Sequence, residues 1–232
     1  MSINPLRKTL HRIGLDIHRY HPSPNRLEWL KNLDIQTVFD IGANIGQFAQ
    51  EIRSILPNTH IYSFEPIRDC FVALKKDLED DHRFTAFNYA IGEMEEISTI
   101  NRNAYSPSSS ILTMAESHKQ FFPHTKNSHT EKIMIKTLDA VMSEIKAKKN
   151  LLIKVDTQGY EDKILSGGQK AFSEAVAVIM EVSFETLYED QPLFHDIYEK
   201  LRAFGFHYRG AAHEKIHPKT GAIIFEDAIF VR

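Results

Sequence analysis

Thr37-Val38-Phe39-Asp40-Ile41-Gly42-Ala43-Asn44-Ile45-Gly46-Gln47-Phe48 is the stretch on which the reading of this chain turns. It begins as an apolar strand, breaks at glycines and resumes as a helix with Phe48, Ile52 and Ile55 on one face. A strand feeding a glycine bend that opens a helix brings backbone close to a nucleotide-like ligand. The glycines do not follow G-x-G-x-x-G or G-x-x-x-x-G-K-[ST], the two spacings that cradle phosphates. Asp40 stands ahead of the bend, where a carboxylate repels a pyrophosphate. The bend therefore suits a ligand with an amino-acid end and a positive centre.

Outward from the bend, apolar runs at 60–64, 83–89, 151–155 and 176–182 read as strands, with amphipathic helices between several of them. That alternation implies right-handed βαβ units and a parallel sheet. A helix over 192–204, stopped by Gly205, leads to a closing antiparallel pair at 206–209 and 228–231. The rhythm breaks between Gly92 and Asn150. This insertion, about residues 93–150, is too long for a simple connection, and such spans are usually functional or disordered. It carries strand patterns at 97–101 and 132–136, the polar run Ser106-Pro107-Ser108-Ser109-Ser110, a helical piece at 114–122, and Thr137 placed to cap a helix.

Three further segments join the bend: Ser63-Phe64-Glu65-Pro66, Leu152-Ile153-Lys154-Val155-Asp156-Thr157-Gln158-Gly159-Tyr160-Glu161, and Val178-Ile179-Met180-Glu181-Val182. Together they resemble the class I S-adenosyl-L-methionine (SAM) methyltransferases, and the wider chain, from Thr37 to Arg209, is similar to the FkbM family. The resemblance implies an α/β, Rossmann-like, seven-stranded sheet, mostly parallel with an antiparallel strand pair at one edge. It places the insertion as a lid or hairpin region at the active-site rim. It also implies SAM as cofactor and O-methylation of a small-molecule hydroxyl, with a sugar, glycan or lipid-linked sugar as the acceptor class.

In such a sheet ligands lie outside the carboxyl ends of the strands, and four of the five ends here carry an acid. Glu65 follows Asp40 by 25 residues and can accept both ribose hydroxyls. The same acid would serve NAD, so the glycine spacing, not Glu65, sets an oxidoreductase aside. Gly42, Ala43 and Gly46 let backbone approach the methionine part, Asp40 orders the turn or water near the SAM ammonium, and Asn44 holds the turn or touches the ligand. Pro66 and Ile67 lie at the adenine, with Asn88 and Ala90 at its edge; ordinary turn and packing roles for Ile67 and Asn88 carry equal weight.

Asp156, Glu181 and Glu161 are the acids expected on the acceptor side, with Asp156 also beside SAM. Asp156 and Glu181 are the candidates for a base. Many family relatives carry Glu where this chain has Gln158; the lost charge argues against a metal, and none is expected. His118, His124 and His129 are alternative bases, while Tyr105, Tyr160, Phe184 and Tyr188 could stack on a sugar face. No H-E-x-x-H, cysteine cluster or G-x-S-x-G supports zinc or serine chemistry. Two other readings stay open: a SAM-binding module without catalysis, and a methyltransferase with a nitrogen acceptor.

Composition sets the outer bounds. The 232 residues, 42% hydrophobic and 25% charged, suit one globular unit over 26–232, excluding disordered and membrane classes. A net charge of −3 argues against a nucleic-acid partner. The single cysteine, Cys70, allows no intrachain disulfide and fits a reducing, cytoplasmic setting. Residues 1–25 are expected to form an amphipathic helix and a linker ahead of the domain. Leu6, Leu10, Ile13 and Ile17 recur at helical spacing among Arg7, Lys8, Arg12 and Arg19, before a turn-rich linker. That helix is expected to pack on the domain or a second subunit, as in a homodimer, with peripheral membrane contact as the alternative.

Overall fold

The computed structural model describes residues 25–125 and 127–232, together with Leu10 and Gly14. The amphipathic helix expected within 1–25 lies outside the described residues.

After a 3-10 turn at Glu28–Leu33, β1 (Thr37–Ile41) enters the core and the chain passes through the glycine bend into α1 (Gln47–Ile55). β2 (His60–Phe64), α2 (Arg68–Asp77) and β3 (Phe84–Phe87) follow. Beyond the insertion come β7 (Leu151–Val155), α5 (Glu161–Gly167), α6 (Gln169–Glu174), β8 (Ala175–Ser183) and α7 (Phe194–Ala203). The hairpin of β9 (His207–Ile216) and β10 (Ile223–Val231) closes the sheet. The strand order is β3-β2-β1-β7-β8-β10-β9, with β10 running antiparallel to both neighbours and every other pairing parallel. This is the seven-stranded, mostly parallel sheet with an antiparallel pair at one edge.

Successive strand residues point to opposite faces, and both faces are covered here. Val38, Ile61, Leu152 and Ile179 pack with Ile52 and Ile55 of α1 on one side. Phe39, Phe64, Ile153 and Met180 pack with Leu138, Ile164 and Leu201 on the other. Double coverage explains why β1 and β7 are buried at all five positions. It also makes the polar members of these strands conspicuous: Asp40 is fully buried, and its register partners are Ser63 on β2 and Lys154 on β7.

Two regions differ from the expectation. The closing pair is far longer than 206–209 and 228–231. Its outer strand, β9, exposes His213, Glu214, Lys215 and Ile216, so an edge strand with register slips shows no clean alternation. The insertion builds its own sheet, ordered β4-β6-β5, from β4 (Ala90–Gly92), β5 (Glu96–Asn103) and β6 (Ser128–Thr137). The hairpin of β5 and β6 was legible. The three-residue β4, parallel to β6, was not, being too short to carry a period. Between them lies α3 (Glu116–Phe121), and Thr137 caps α4 (Leu138–Ile145), its Oγ1 accepting from the Ala140 N–H at 3.3 Å. Backbone bonds from Ala115 to Leu187 O and from Glu189 to Thr113 O, both 2.9 Å, tie the insertion to the loop after β8.

Candidate active site

Gly42 opens the bend with φ +78°. A Cβ there would lie 1.9 Å from the carbonyl oxygen of Asp156, so only glycine lets the bend lean on the end of β7. The N–H groups of Gly42 and Ala43 both donate to Phe64 O, at 3.0 and 3.1 Å, which fastens the bend to β2. These donors are therefore spent inside the fold, and what the bend offers a ligand is close approach.

Glu65 sits at the end of β2, only 5% exposed. Its Oε2 accepts from the Asn44 N–H and its Oε1 from the Ile67 N–H, each at 2.8 Å. Each oxygen keeps a second lone pair. Burial pushes this carboxyl up to about 7, against the pull of the two N–H donors. Asn88 Nδ2 donates to the carbonyls of Glu65 and Pro66, both at 2.9 Å, and so steadies the turn from behind. Beneath the bend, Asp40 Oδ2 accepts from Ser63 Oγ at 2.9 Å, while the buried Oδ1 has no partner among the described residues. Burial raises the Asp40 pKa, with Lys154 and Ser63 opposing.

A row of ionisable side chains continues across the adjoining strands. Lys154 Nζ lies 3.0 Å from Asp156 Oδ2 and 5.8 Å from the centre of the Phe48 ring. Burial works against its charge, but Asp156, Asp40 and Asp227 outweigh that and hold its pKa above the ordinary lysine value. Gln158 Nε2 donates to Asp156 Oδ1 at 3.0 Å and to Glu181 Oε1 at 2.8 Å. Its Oε1 accepts from the Tyr188 hydroxyl at 3.0 Å. Glu181 stands opposite Asp227 in the pairing of β8 with β10, and carboxylate oxygens of Asp156, Glu181 and Asp227 lie within 4.8 Å of one another. Burial and the facing charges of Asp156, Asp227 and Glu161 push the Glu181 pKa well up. Three acids at this spacing could attract a cation. Lys154 and the Gln158 amide already supply positive charge and donors among them, and we assign no metal.

A cavity of about 530 Å³ opens over this row. Gly42, Ala43 and Asn44 line it from the bend, Glu65, Pro66 and Ile67 from the end of β2, and Ala90 from β4. Asp156 and Glu181 face it from the other side. Asp40, Gly46, Asn88 and Glu161 are not in its wall. Glu161, expected beside the acceptor, instead clamps its own turn: Oε1 accepts from Thr157 N–H, Thr157 Oγ1 and Gly159 N–H, at 3.0 to 3.1 Å. Burial puts its pKa at about 7. The Asn88 Nδ2, expected at the adenine edge, donates instead to the Glu65 and Pro66 carbonyls.

The insertion reaches the rim through its serine run. Ser106 Oγ donates to Asn44 Oδ1 at 3.1 Å and Ser110 Oγ to the Gln158 carbonyl at 2.7 Å. His118 and His124 line the cavity and His129 does not. His118 is 2% exposed, its ring nitrogens 3.3 Å from Thr125 Oγ1 and 3.4 Å from the Tyr188 hydroxyl. Burial, with His124 and Lys119 nearby, lowers its pKa to about 4. Among the aromatics proposed for stacking, Tyr105 and Tyr160 line the cavity. Tyr188 is 1% exposed behind Gln158, and Phe184 stacks on Phe194 at 5.0 Å. Sequence reasoning passed over Lys154, Asp227 and His213; the signal for Lys154 was a charged residue inside an otherwise apolar strand.

These features fit an adenosyl amino acid: free lone pairs on Glu65, the close backbone approach at Gly42, and the apolar surface of Ile67 and Ala90. Comparison with known proteins bears on the same region. The family model described as the methyltransferase FkbM domain matches residues 40–208. The 2-O-methyltransferase NoeI of Sinorhizobium fredii (strain NBRC 101917 / NGR234) is 22% identical over 178 residues, 72% of this chain and 71% of its own. Among solved structures, the precorrin-6y C5,15-methyltransferase of Geobacter metallireducens GS-15 aligns over 89% of this chain and 83% of its own. Its identity is 11% and the TM-score 0.45. The METTL16 MTase domain aligns over 97% and 75%, at 14% identity and a TM-score of 0.47.

Proposed function

Because the chain belongs to the methyltransferase FkbM domain family, and is thus an enzyme using SAM as methyl donor, we propose that its acceptor is a hydroxyl on a sugar or glycan intermediate. The observation that carries this reading is the row Asp156, Glu181 and Asp227 beside the cavity. Carboxylates accept from O–H groups, and three of them set across adjacent strands match the hydroxyls of a polyol. Tyr105, Phe122 and Phe225 line the same cavity, and aromatic rings there suit the C–H side of a sugar. The similarity to a protein called a 2-O-methyltransferase supports an oxygen acceptor.

Bound SAM supplies an electrophilic methyl group on a positively charged sulfur. In this reading Glu65 accepts the ribose hydroxyls, the bend from Gly42 to Asn44 receives the amino-acid end, and Ile67 with Ala90 borders the adenine. Asp156, fixed by Lys154 and Gln158, orients the acceptor. Holding the acceptor oxygen in line for displacement can remove up to about 7–11 kcal/mol of barrier. Residues 26–232 form the methyltransferase unit, and 93–150 its insertion at the rim. Among the described residues no helix is long and apolar enough to cross a membrane.

The test is mass spectrometry after incubation with methyl-labelled SAM of three pools: free sugars and glycan intermediates, primary amines, and RNA. Label on hydroxyl oxygen of the first pool is expected. Label confined to amine nitrogen or to RNA would overturn the acceptor assignment.

A further inference from the structure

We propose that His213, held by Asp227, is the general base that takes the proton from the acceptor hydroxyl; this rests on the oxygen-acceptor reading above. Both residues line the cavity. His213 projects from β9 with Nδ1 3.4 Å from Asp227 Oδ2 on the neighbouring β10. Asp227 in turn faces Glu181, so the pair is the outer end of the ionisable row that begins at Asp40.

The other groups of the site are already engaged. Asp156 is tied to Lys154 and Gln158, and Glu181 to the same amide. Glu161 serves its turn, and both ring nitrogens of His118 face partners inside the insertion and its neighbour Tyr188. His213 differs. Among the described residues no group bonds its Nε2, and a carboxylate on Nδ1 selects the tautomer that leaves the Nε2 lone pair open. Contacts between a base and its orienting acid are commonly long without substrate and tighten when it binds.

The charged groups around the ring are Asp227 of β10, Glu51 of α1 and Arg26 ahead of β1. The contact with Asp227 raises the imidazole pKa, burial opposes it, Glu51 adds to it and Arg26 subtracts. In the step itself the acceptor oxygen bonds to the methyl carbon, the carbon–sulfur bond breaks with its electron pair left on sulfur, and the hydroxyl proton passes to Nε2. Asp227 offsets the imidazolium charge. The side chain is 70% exposed, so the proton leaves to water and the base is reset.

The test compares wild type with His213→Ala, His213→Gln and Asp227→Asn, using methyl-labelled SAM and a panel of methyl glycosides. The expected result is a loss of label transfer of roughly 10²–10⁴-fold in both His213 variants, with SAM affinity by calorimetry unchanged. Asp227→Asn lowers the acid limb of the kcat/KM profile, and the His213 titration followed by NMR in the SAM-free protein moves down with it. O-methyl product formed by His213→Ala at a rate within about threefold of wild type would overturn the base while leaving the oxygen-acceptor reading intact. So would an acid limb that does not follow the His213 titration. Absence of O-methyl product from wild type, with SAM still bound, would instead remove the reading on which the base depends.

Discussion

The backbone N–H of Asn44 donates to Glu65 Oε2 over 2.8 Å, so the bend after β1 and the acid ending β2 form one unit. Replacing Glu65 by Ala removes the proposed ribose acceptor and unlatches the bend together. Calorimetry should show SAM binding weakened by at least about tenfold, or roughly 1.4 kcal/mol. Unchanged affinity would take Glu65 out of the site.

The same carboxyl sets a pH dependence. Its folded pKa, about 7, lies above the ordinary 4.5, so its contribution to stability is full below 4.5 and is lost as pH rises through about 7. SAM binding has the opposite slope, because the ionised form is the better acceptor for hydroxyls. Affinity should rise between about pH 6 and about pH 8, and Glu65→Gln should flatten that rise. A flat wild-type profile over this window would contradict the assignment.

Gly42 and Gly46 should separate sharply on substitution by Ala. At Gly42 the added methyl meets a backbone carbonyl at 1.9 Å, and a backbone atom cannot step aside. At Gly46 it meets the end of the Leu74 side chain at 2.7 Å, which can rotate. Both positions have positive φ, costing an L-residue about 1–2 kcal/mol. Gly46→Ala should lose about that much in urea denaturation, whereas Gly42→Ala should lose more and also abolish SAM binding. Equal losses would mean that the bend does not press on β7.

Gln158→Glu exchanges a two-way donor for a fourth acid facing Asp156 and Glu181. Losing those hydrogen bonds to charged groups should cost about 2–3 kcal/mol, a fall in Tm of roughly 5–10 °C. The loss should shrink below about pH 5, where the introduced carboxyl, once protonated, can again donate one bond. A thermal shift that ignores pH would show that the bridge in the structure is not energetic.

His118 gives the insertion an acid limit. Its folded pKa, about 4, lies below the ordinary 6.5, so its contribution is full above 6.5 and is lost as pH falls toward 4. Protection factors for amide hydrogen exchange in residues 111–125, which take out the slower intrinsic exchange at low pH, should fall over that interval in wild type, and much less in His118→Gln. Protection that falls equally in both would assign the acid sensitivity elsewhere.

The sheet could be read because β1, β2, β7 and β8 announce themselves as apolar runs ended by glycines or acids. The bend and Glu65 stood out for the same reason, being breaks in a strong pattern. Asp227 and His213 did not, because their places are fixed by pairing rather than by local sequence. Asp227 meets Glu181 only through the antiparallel register of β10 on β8, 46 residues apart in the chain. His213 lies on an exposed edge strand where polar residues are unremarkable. Glu161 is ambiguous in sequence for a related reason: an acid beside a helix start serves capping as readily as chemistry, and the structure shows it bonded to the Thr157 and Gly159 N–H groups.

The succession Asp40, Lys154, Asp156, Glu181, Asp227 and His213 spans five strands of one sheet, with charges close enough to feel one another. Substitutions within it will be epistatic: the free-energy change of a pair will not equal the sum of its singles. A cycle built on Asp156→Asn and Asp227→Asn should give a coupling of about 0.5–3 kcal/mol, and strict additivity would show the two ends to be insulated. Efforts to redirect this enzyme to new acceptors therefore have to vary these positions jointly, since a residue swapped alone is judged against neighbours tuned to its predecessor.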